Sequence, residues 1–399
     1  MIQAMGTSTG VVLTVLQLVF ALTWVIYVIY LPALAAQAGV PKHMVPWILL
    51  MDQAIFVVCD WGAGVYSDRI ASTLSRIGPR LAGVTLVSCV AFLLIPLLAP
   101  VGSVAIFLAV TILWSATSSA LRAPPLMLIG RHAASPKRPW LAGLYLLGLG
   151  IAGAIAPYMG SLLRDIDPRI PFAMSTVVVV LVTLVLARAE RGLGGSTSTI
   201  RDREWRFKEA SGSSIGVFAL AVILFAVGFQ VHFSVNSAPA YLRFAAQKDL
   251  EHLMPVFWIG FNLVMLPATL VAKRFGGAVP MAVAGIVGVL AAWGASVAGN
   301  LDLLILLQFV VGAAWGVILM SAFTAALAVG HPGHEGSVSG LLFSMLAVAA
   351  FARIAFVAAD GAKIDWIAPV LAAGPSIAWG LASLLVVGLA VTGVDRPRA

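Results

Sequence analysis

The chain has 399 residues, of which 61% are hydrophobic and only 10% are charged. A water-soluble domain is about half apolar and about a quarter charged, so this chain carries too few charges to cover a water-exposed surface and is predicted to lie in lipid. The net charge of +8 does not indicate nucleic-acid binding, because the basic residues lie in short connections between apolar segments, where they orient helices and meet anionic headgroups.

Twelve apolar segments are long enough to cross the hydrocarbon core, which takes about 20 residues of helix. Their backbone groups find no water there, so continuous apolar blocks of this kind predict α-helices rather than a β-barrel. The predicted helices 1 to 12 are 11–36, 45–67, 81–99, 103–129, 140–163, 170–189, 215–238, 252–273, 279–298, 302–329, 337–359 and 367–392. The first is too long for a signal peptide and has no basic residue before it, so we expect it to be retained.

One connection, 190–214, is longer than the others and rich in Gly, Ser and Thr before a basic run. It predicts a six-helix N-terminal bundle over 1–189, a cytoplasmic linker over 190–214 and a six-helix C-terminal bundle over 215–399. Most Lys and Arg residues lie after even-numbered helices or in the C-terminal tail. The positive-inside rule therefore predicts that both termini are cytoplasmic, in a multi-pass protein of the inner (plasma) membrane.

The connection after helix 2 has a glycine, Gly64, four residues before the acid–base pair Asp68 and Arg69. With the six-plus-six layout, this motif resembles the loop signature of the major facilitator superfamily. The resemblance implies an all-α fold of two pseudo-symmetric bundles, a secondary transporter, and a cytoplasmic gate in which Asp68 contacts the start of helix 11 near Gly336. Glycine would allow close helix approach, and the N-terminal dipole of helix 11 would favour a carboxylate. The alternative is a solvated helix end.

Helix 5 carries a second pattern of small residues and a proline: Gly148, Gly150, Gly153, Ala156, Pro157 and Gly160. This pattern resembles, in degenerate form, the helix 5 signature of proton-driven exporters in the same superfamily. The alternative is ordinary packing of small residues between helices. The resemblance favours export of a drug-like or metabolite compound.

Four charged residues lie well inside predicted helices, where an unpaired charge is costly. Asp60 and Arg122 lie at matching depths in the first half, which predicts an ion pair. Asp52 and Arg353 also match in depth and are predicted to bridge the halves on the outer side when the protein opens inward and to part when it opens outward, unless both sit in a water-filled cavity. A carboxylate beside a mobile arginine would take up a proton when the arginine leaves, so Asp52 and Asp60 are candidates for proton coupling. His232 is a third candidate because histidine titrates near neutral pH, with packing as the alternative.

Polar and aromatic residues near mid-membrane predict a substrate cavity between the halves. Those at helical spacing are Trp24, Tyr27, Trp114, Ser118, Arg122, Gln230, His232, Asn236, Trp258, Asn262, Gln308 and Trp315. His232 and Asn236 are four apart and are expected to share a helix face. The alternatives are aromatic packing and interhelical hydrogen bonds. Such a cavity suits a modest-sized organic solute, and an organic anion if an arginine faces it unpaired.

These observations favour a proton-coupled exporter working by alternating access. One alternative is proton-coupled uptake of an organic anion or nutrient, indicated by the two membrane arginines. A non-transporting membrane sensor is an alternative of another class, but no connection could hold its soluble domain. No nucleophile–base set, phosphate loop or metal-ligand spacing occurs, so we expect no enzyme, cofactor or metal site. The expected partners are a small-molecule substrate, protons and lipid, and the resemblance implies a monomer.

Overall fold

A computed structural model describes residues 6–73, 78–133, 137–192, 212–329, 334–361, 364 and 366–391. Within these ranges, twelve helices are long and apolar enough to cross a membrane, as the sequence predicts. They are α1 (Thr7–Gln37), α2 (Lys42–Arg69), α3 (Arg80–Val101), α4 (Val104–Gly130), α5 (Arg138–Leu162), α6 (Arg169–Ala189), α7 (Ile215–Tyr241), α8 (Gln247–Phe275), α9 (Ala278–Ser296), α10 (Leu301–Ala326), α11 (Glu335–Ala358) and α12 (Ile367–Ala390). The regular structure of the described residues is entirely helical, which confirms the predicted fold class.

Two of the helices change their backbone geometry part-way across the membrane. In α4 a 3-10 turn, Ser119–Leu121, is followed by Pro124 and Pro125. Because proline has no amide hydrogen and a fixed φ, the regular α-helical hydrogen bonds cannot continue through this point. In α7 the segment Gln230–Asn236 is a π-helix, a local widening that often occurs at functional sites. Both irregular segments adjoin polar residues predicted to be functional.

The even number of crossings puts the start of α1 and the end of α12 on the same side of the membrane. We call this the terminal side and the opposite one the far side; the sequence predicts that the terminal side is cytoplasmic. The predicted linker 190–214 lies largely outside the described residues, because 193–211 are not among them.

The helices α1–α6 form one half and α7–α12 the other, and the halves meet along two antiparallel pairs, α2 with α11 and α5 with α8. Glycine makes both contacts possible. In the first pair, Gly64 lies against the backbone of Gly336, and Gly340 against the carbonyl of Asp60. A methyl group at either glycine would overlap backbone atoms of the partner helix. Backbone thus approaches backbone closely where the two halves touch.

Three glycines of α5 also allow close contacts with neighbouring helices. Gly148 lies against backbone atoms of Thr14 and Leu18 in α1, while Gly150 and Gly153 meet side chains of α8. These three glycines therefore have a packing role, which was the alternative to the exporter signature. The structure offers no packing reason for Gly160, which has no atom within 4 Å of its ideal Cβ position.

Adding a methyl group at the α2–α11 contact should destabilise the protein. We expect Gly64→Ala to lower the free energy of unfolding by about 1–3 kcal/mol, because overpacking forces two backbones apart. Gly62 is the matched control, since its ideal Cβ would meet nothing within 4 Å. The measurement is the apparent melting temperature of both variants in one detergent. Equal melting temperatures for Gly64→Ala and Gly62→Ala would contradict the described contact.

Candidate functional site

The carboxylate of Asp68 joins the two halves at the terminal side. Its Oδ1 accepts a hydrogen bond from the amide of Gly336 at 2.8 Å, and its Oδ2 accepts from the amide and hydroxyl of Ser337 at 2.7 and 2.5 Å. The first amides of a helix have no partner within it and carry partial positive charge, so α11 binds the carboxylate with its N-terminal end. The predicted contact is present and Asp68 is not a solvated helix end. Arg69 beside it has an exposed side chain.

The contact between α2 and α11 continues from Asp68 into the membrane. The Ser344 hydroxyl donates to the carbonyl of Val57 at 2.8 Å, and Gly340 lies level with Asp60. The hydrogen bonds that join these helices thus extend over three turns of α2 from the terminal side. We call the contacts of Asp68, Gly64 and Val57 with α11 the terminal clasp.

The predicted pair of Asp60 and Arg122 is present within the first half. Nη1 of Arg122 lies 2.8 Å from Oδ2 of Asp60, whose side chain is fully buried, while 20% of the arginine side chain is exposed. The guanidinium also lies over the ring of Phe56, at 4.0 Å from the centroid. Arg122 directly follows the 3-10 turn in α4, and its carbonyl accepts from the hydroxyl of Tyr145 at 3.2 Å. Each charge is therefore met by an opposite charge, while Oδ1 of Asp60 accepts no hydrogen bond from the described residues.

Asp52 has a different kind of environment. Its carboxylate is fully buried and accepts hydrogen bonds from the hydroxyls of Tyr27 at 2.8 Å and Ser115 at 2.6 Å. No Lys, Arg or His among the described residues lies within ion-pair distance of it. The ring of Tyr27 packs on Trp114 at 4.6 Å, and Trp24 stacks on Trp114 at 6.1 Å. We call these five residues the first-half cluster.

The predicted bridge between Asp52 and Arg353 is not formed in this structure. Asp52 bonds inside its own half, and Arg353 forms no ion pair with any residue that the structure describes. The antiparallel register of the terminal clasp also sets the two residues at different depths. Gly64 lies level with Gly336 and Asp60 with Gly340. Continuing this register places Arg353 level with residue 47, more than a helical turn beyond Asp52.

The second half has its own buried polar cluster around His232. Its Nε2 lies 3.0 Å from Oε1 of Gln308 in α10, and the Gln308 amide donates to the hydroxyl of Ser237 at 3.1 Å. Ser237 in turn donates to the carbonyl of His232 at 2.9 Å. We call His232, Ser237 and Gln308 the second-half cluster. Its polar atoms satisfy one another, as buried polar groups must.

The expected common face of His232 and Asn236 is not observed. Asn236 donates to the carbonyl of Leu371 in α12 at 2.7 Å, whereas His232 turns to α10. Both residues belong to the π-helical segment of α7. Because its turns are wider than those of an α-helix, residues four apart no longer lie above one another. Sequence periodicity alone does not reveal such a segment.

The remaining predicted cavity residues lie in several environments. Trp315 is buried and stacks on Phe229 at 4.5 Å, while Trp258 is buried against Gly153 of α5. Asn262 donates to the carbonyl of Trp258 at 2.9 Å. The other two residues form hydrogen bonds within their own helices. The side-chain oxygen of Gln230 accepts from the Ser234 hydroxyl at 3.2 Å, and the Ser118 hydroxyl donates to the backbone carbonyl of Ser115 at 2.9 Å. Most of the predicted residues therefore belong to one half or the other rather than to a shared network.

The sequence analysis does not predict the hydrogen bond from Ser115 to Asp52. The sequence does carry one indication of it, because Ser115 lies with Trp114 and Ser118 on a polar stripe of α4. The depth of Asp52 in the membrane, compared with Ser115 rather than with Arg353, would have indicated the partner.

The Asp60–Arg122 pair predicts a strongly non-additive mutant cycle. Arg122→Gln and Asp60→Asn should each cost about 3–5 kcal/mol, because each leaves one charge in the membrane interior without its partner. The double variant should cost less than the sum of the two. The measurement is reversible unfolding of the four proteins in mixed micelles. Additive effects would contradict a direct interaction between the two side chains.

Comparison with known proteins shows the family and the fold. A family model described as Major Facilitator Superfamily matches residues 13–352. No curated protein sequence matches the chain. Among solved structures, a bacterial homologue of the iron transporter ferroportin, in its outward-facing state, is similar with a TM-score of 0.73 and 13% identity, covering 95% of this chain and 98% of that one.

Two further solved structures are similar over nearly their whole length. The Escherichia coli fucose:proton symporter FucP has a TM-score of 0.69 and 11% identity, covering 95% of this chain and 98% of that one. The human organic anion transporter MFSD10 has a TM-score of 0.68 and 14% identity, covering 97% and 99%. At such identities the likeness shows the fold alone. The family match, however, extends from α1 into α11. The chain therefore belongs to the Major Facilitator Superfamily, and is a membrane transporter rather than an enzyme.

Proposed function

We propose that the protein is a proton-coupled secondary transporter, which carries a small organic solute across the inner membrane by alternating access. The observation that carries the proton coupling is the environment of Asp52. This carboxylate is fully buried, and among the described residues its hydrogen-bond partners are two hydroxyl groups on two other helices. Asp60, by contrast, has Arg122 as a counter-ion at 2.8 Å.

Protonation of Asp52 would change its hydrogen bonds with α1 and α4. The ionised carboxylate only accepts hydrogen bonds, and Tyr27 and Ser115 both donate to it. The protonated acid must itself donate one, so one of the two hydroxyl groups has to turn from donor to acceptor. A neutral Asp52 therefore holds α1, α2 and α4 by a different set of bonds, and the two protonation states favour different arrangements of these helices.

The terminal clasp supports a closed terminal side in the present state. Asp68 and Ser344 bond across the two halves there. The basic residues predict that this side is cytoplasmic, in which case the clasp closes the path to the cytoplasm and exchange with solute occurs from the far side. The similar ferroportin homologue is described as outward-facing, in agreement with this assignment. Inward opening would have to break the clasp.

We infer the class of solute from the family and the clusters. Two of the similar structures are those of a fucose:proton symporter and an organic anion transporter, which act on small organic solutes. Export remains the favoured direction because of the helix 5 pattern, and uptake of an organic anion or nutrient is the alternative. Each half brings its own polar cluster, so the substrate would lie between them, in contact with partly exposed residues such as Trp24 and Gln230. We expect a monomer to suffice.

Replacing Asp52 should uncouple transport from protons. In liposomes with an imposed pH gradient, Asp52→Asn should reduce gradient-driven accumulation of a transported solute by about tenfold or more, while exchange of the solute at equal pH continues. The solute is chosen beforehand by its thermal stabilisation of the purified protein. The matched control is Asp302→Asn, at an exposed carboxylate at the start of α10. Wild-type transport that is indifferent to the pH gradient would eliminate the proton-coupled function.

A further inference from the structure

Arg353 is the one charge of the predicted membrane set for which the described residues offer no partner. Asp60 pairs with Arg122, and Asp52 accepts from two hydroxyls. The Nε of Arg353 is buried and has no hydrogen-bond acceptor, and the residue forms no ion pair with the part of the chain that the structure describes. A buried donor without an acceptor, on a group that always carries its charge, is expensive in a membrane protein. The residue as a whole is partly exposed, so a counter-anion from outside the chain can reach it.

Position on α11 indicates where that anion would bind. Arg353 lies one helical turn after Ala349 and shares a face with Leu342, and each of these two residues is only 1% exposed. The neighbouring Phe351 and Ala352, on other faces, are exposed. The arginine therefore projects from the protein-facing side of α11 rather than from its lipid-facing side. This favours a partner in the protein interior over a lipid phosphate.

Depth points to the cleft between the halves. Arg353 lies five residues before the far end of α11, about 7–8 Å along the helix axis. On one flank α11 packs against α2, and on the other against α7 and its π-helical segment Gln230–Asn236. The hydrogen bonds of the terminal clasp lie at the other end of α11, from Gly336 to Ser344. Arg353 is thus beyond the closed region, where α11 adjoins both halves.

We propose that Arg353 binds the carboxylate, sulfonate or phosphate group of an organic monoanion, which is the substrate class of this transporter. The proposal rests on the proposed function, since it names the solute of the same cleft. Arginine suits this task because its planar guanidinium donates two parallel hydrogen bonds to an oxyanion and loses less solvation than lysine. The apolar body of the substrate would lie between the halves, and its anion would satisfy the buried Nε.

The test compares anions with neutral analogues of the same shape. Purified protein is mixed with benzoate, hexanoate and benzenesulfonate, and separately with benzamide, hexanamide and benzenesulfonamide, and its melting temperature is measured. We expect the anions alone to stabilise the wild type, Arg353→Gln to weaken their apparent affinity about tenfold or more, and Arg353→Lys to weaken it less. Arg164→Gln, at an exposed far-side arginine, is the control and should behave as wild type.

The melting temperature without ligand is the second readout. Because Arg353 has no partner to leave behind, Arg353→Gln should melt at or above the wild-type temperature, in contrast to Arg122→Gln. A drop as large as that of Arg122→Gln would show a structural partner and overturn the proposal. Anion stabilisation that persists in Arg353→Gln, equal stabilisation by the amides, or no shift with any anion would also overturn it.

The same variants separate this proposal from the proposed function. Transport that requires Asp52 and the pH gradient but is unchanged in Arg353→Gln would overturn the anion assignment and leave the proton-coupled function standing. Loss of anion binding in Arg353→Gln, with transport indifferent to the gradient, would overturn the proton-coupled function and leave the anion assignment standing.

Discussion

The structure depends on the absence of water around its charged groups. In hydrocarbon a charge must be met by a counter-charge, a set of hydrogen bonds or a proton, and the four charges inside these helices differ in how they are met. Asp60 has a counter-ion in Arg122, Asp52 has two hydroxyl donors, and Arg353 lacks a partner among the described residues. The proposals assign the Asp60–Arg122 pair to stability, and Asp52 and Arg353 to exchange with a proton and a solute.

The second feature of the fold is the way in which its halves touch. Glycines bring backbone against backbone in α2 and α11, and Asp68 ends this contact with three hydrogen bonds to the first residues of α11. The hydrogen bonds of Asp68 lie at the membrane surface, where water can replace them when the terminal side opens. Such a contact is specific when closed and inexpensive to break.

Much of this architecture can be predicted from the amino-acid sequence, because lipid imposes simple rules. Length and hydropathy locate the twelve helices within a few residues. Asp60 and Arg122 can be paired because they lie in one half, where depths counted from the helix ends are comparable. Asp68 can be placed at α11 because its motif resembles the loop signature of the family, and a helix N-terminus suits a carboxylate.

The failures have equally physical causes. The matching depths of Asp52 and Arg353 do not by themselves make a pair, because depth counted from helix ends ignores the register between α2 and α11. The common face of His232 and Asn236 fails because a π-helical segment leaves no mark in hydropathy. Most residues expected to line one cavity instead bond within their own half, as Tyr27 does with Asp52 and His232 with Gln308. Sequence identifies such polar groups but does not tell which helix each one will face.

The central claim is that protonation of Asp52 selects between the two arrangements of the halves. Spin labels at exposed sites can measure this directly by pulsed electron resonance, with one pair at 42 and 302 on the far side and one at 80 and 273 on the terminal side. As the pH is changed, the account predicts that one distance lengthens while the other shortens in the wild type, and that neither responds in Asp52→Asn. Distances that ignore pH in the wild type, or that respond equally in Asp52→Asn, would contradict it.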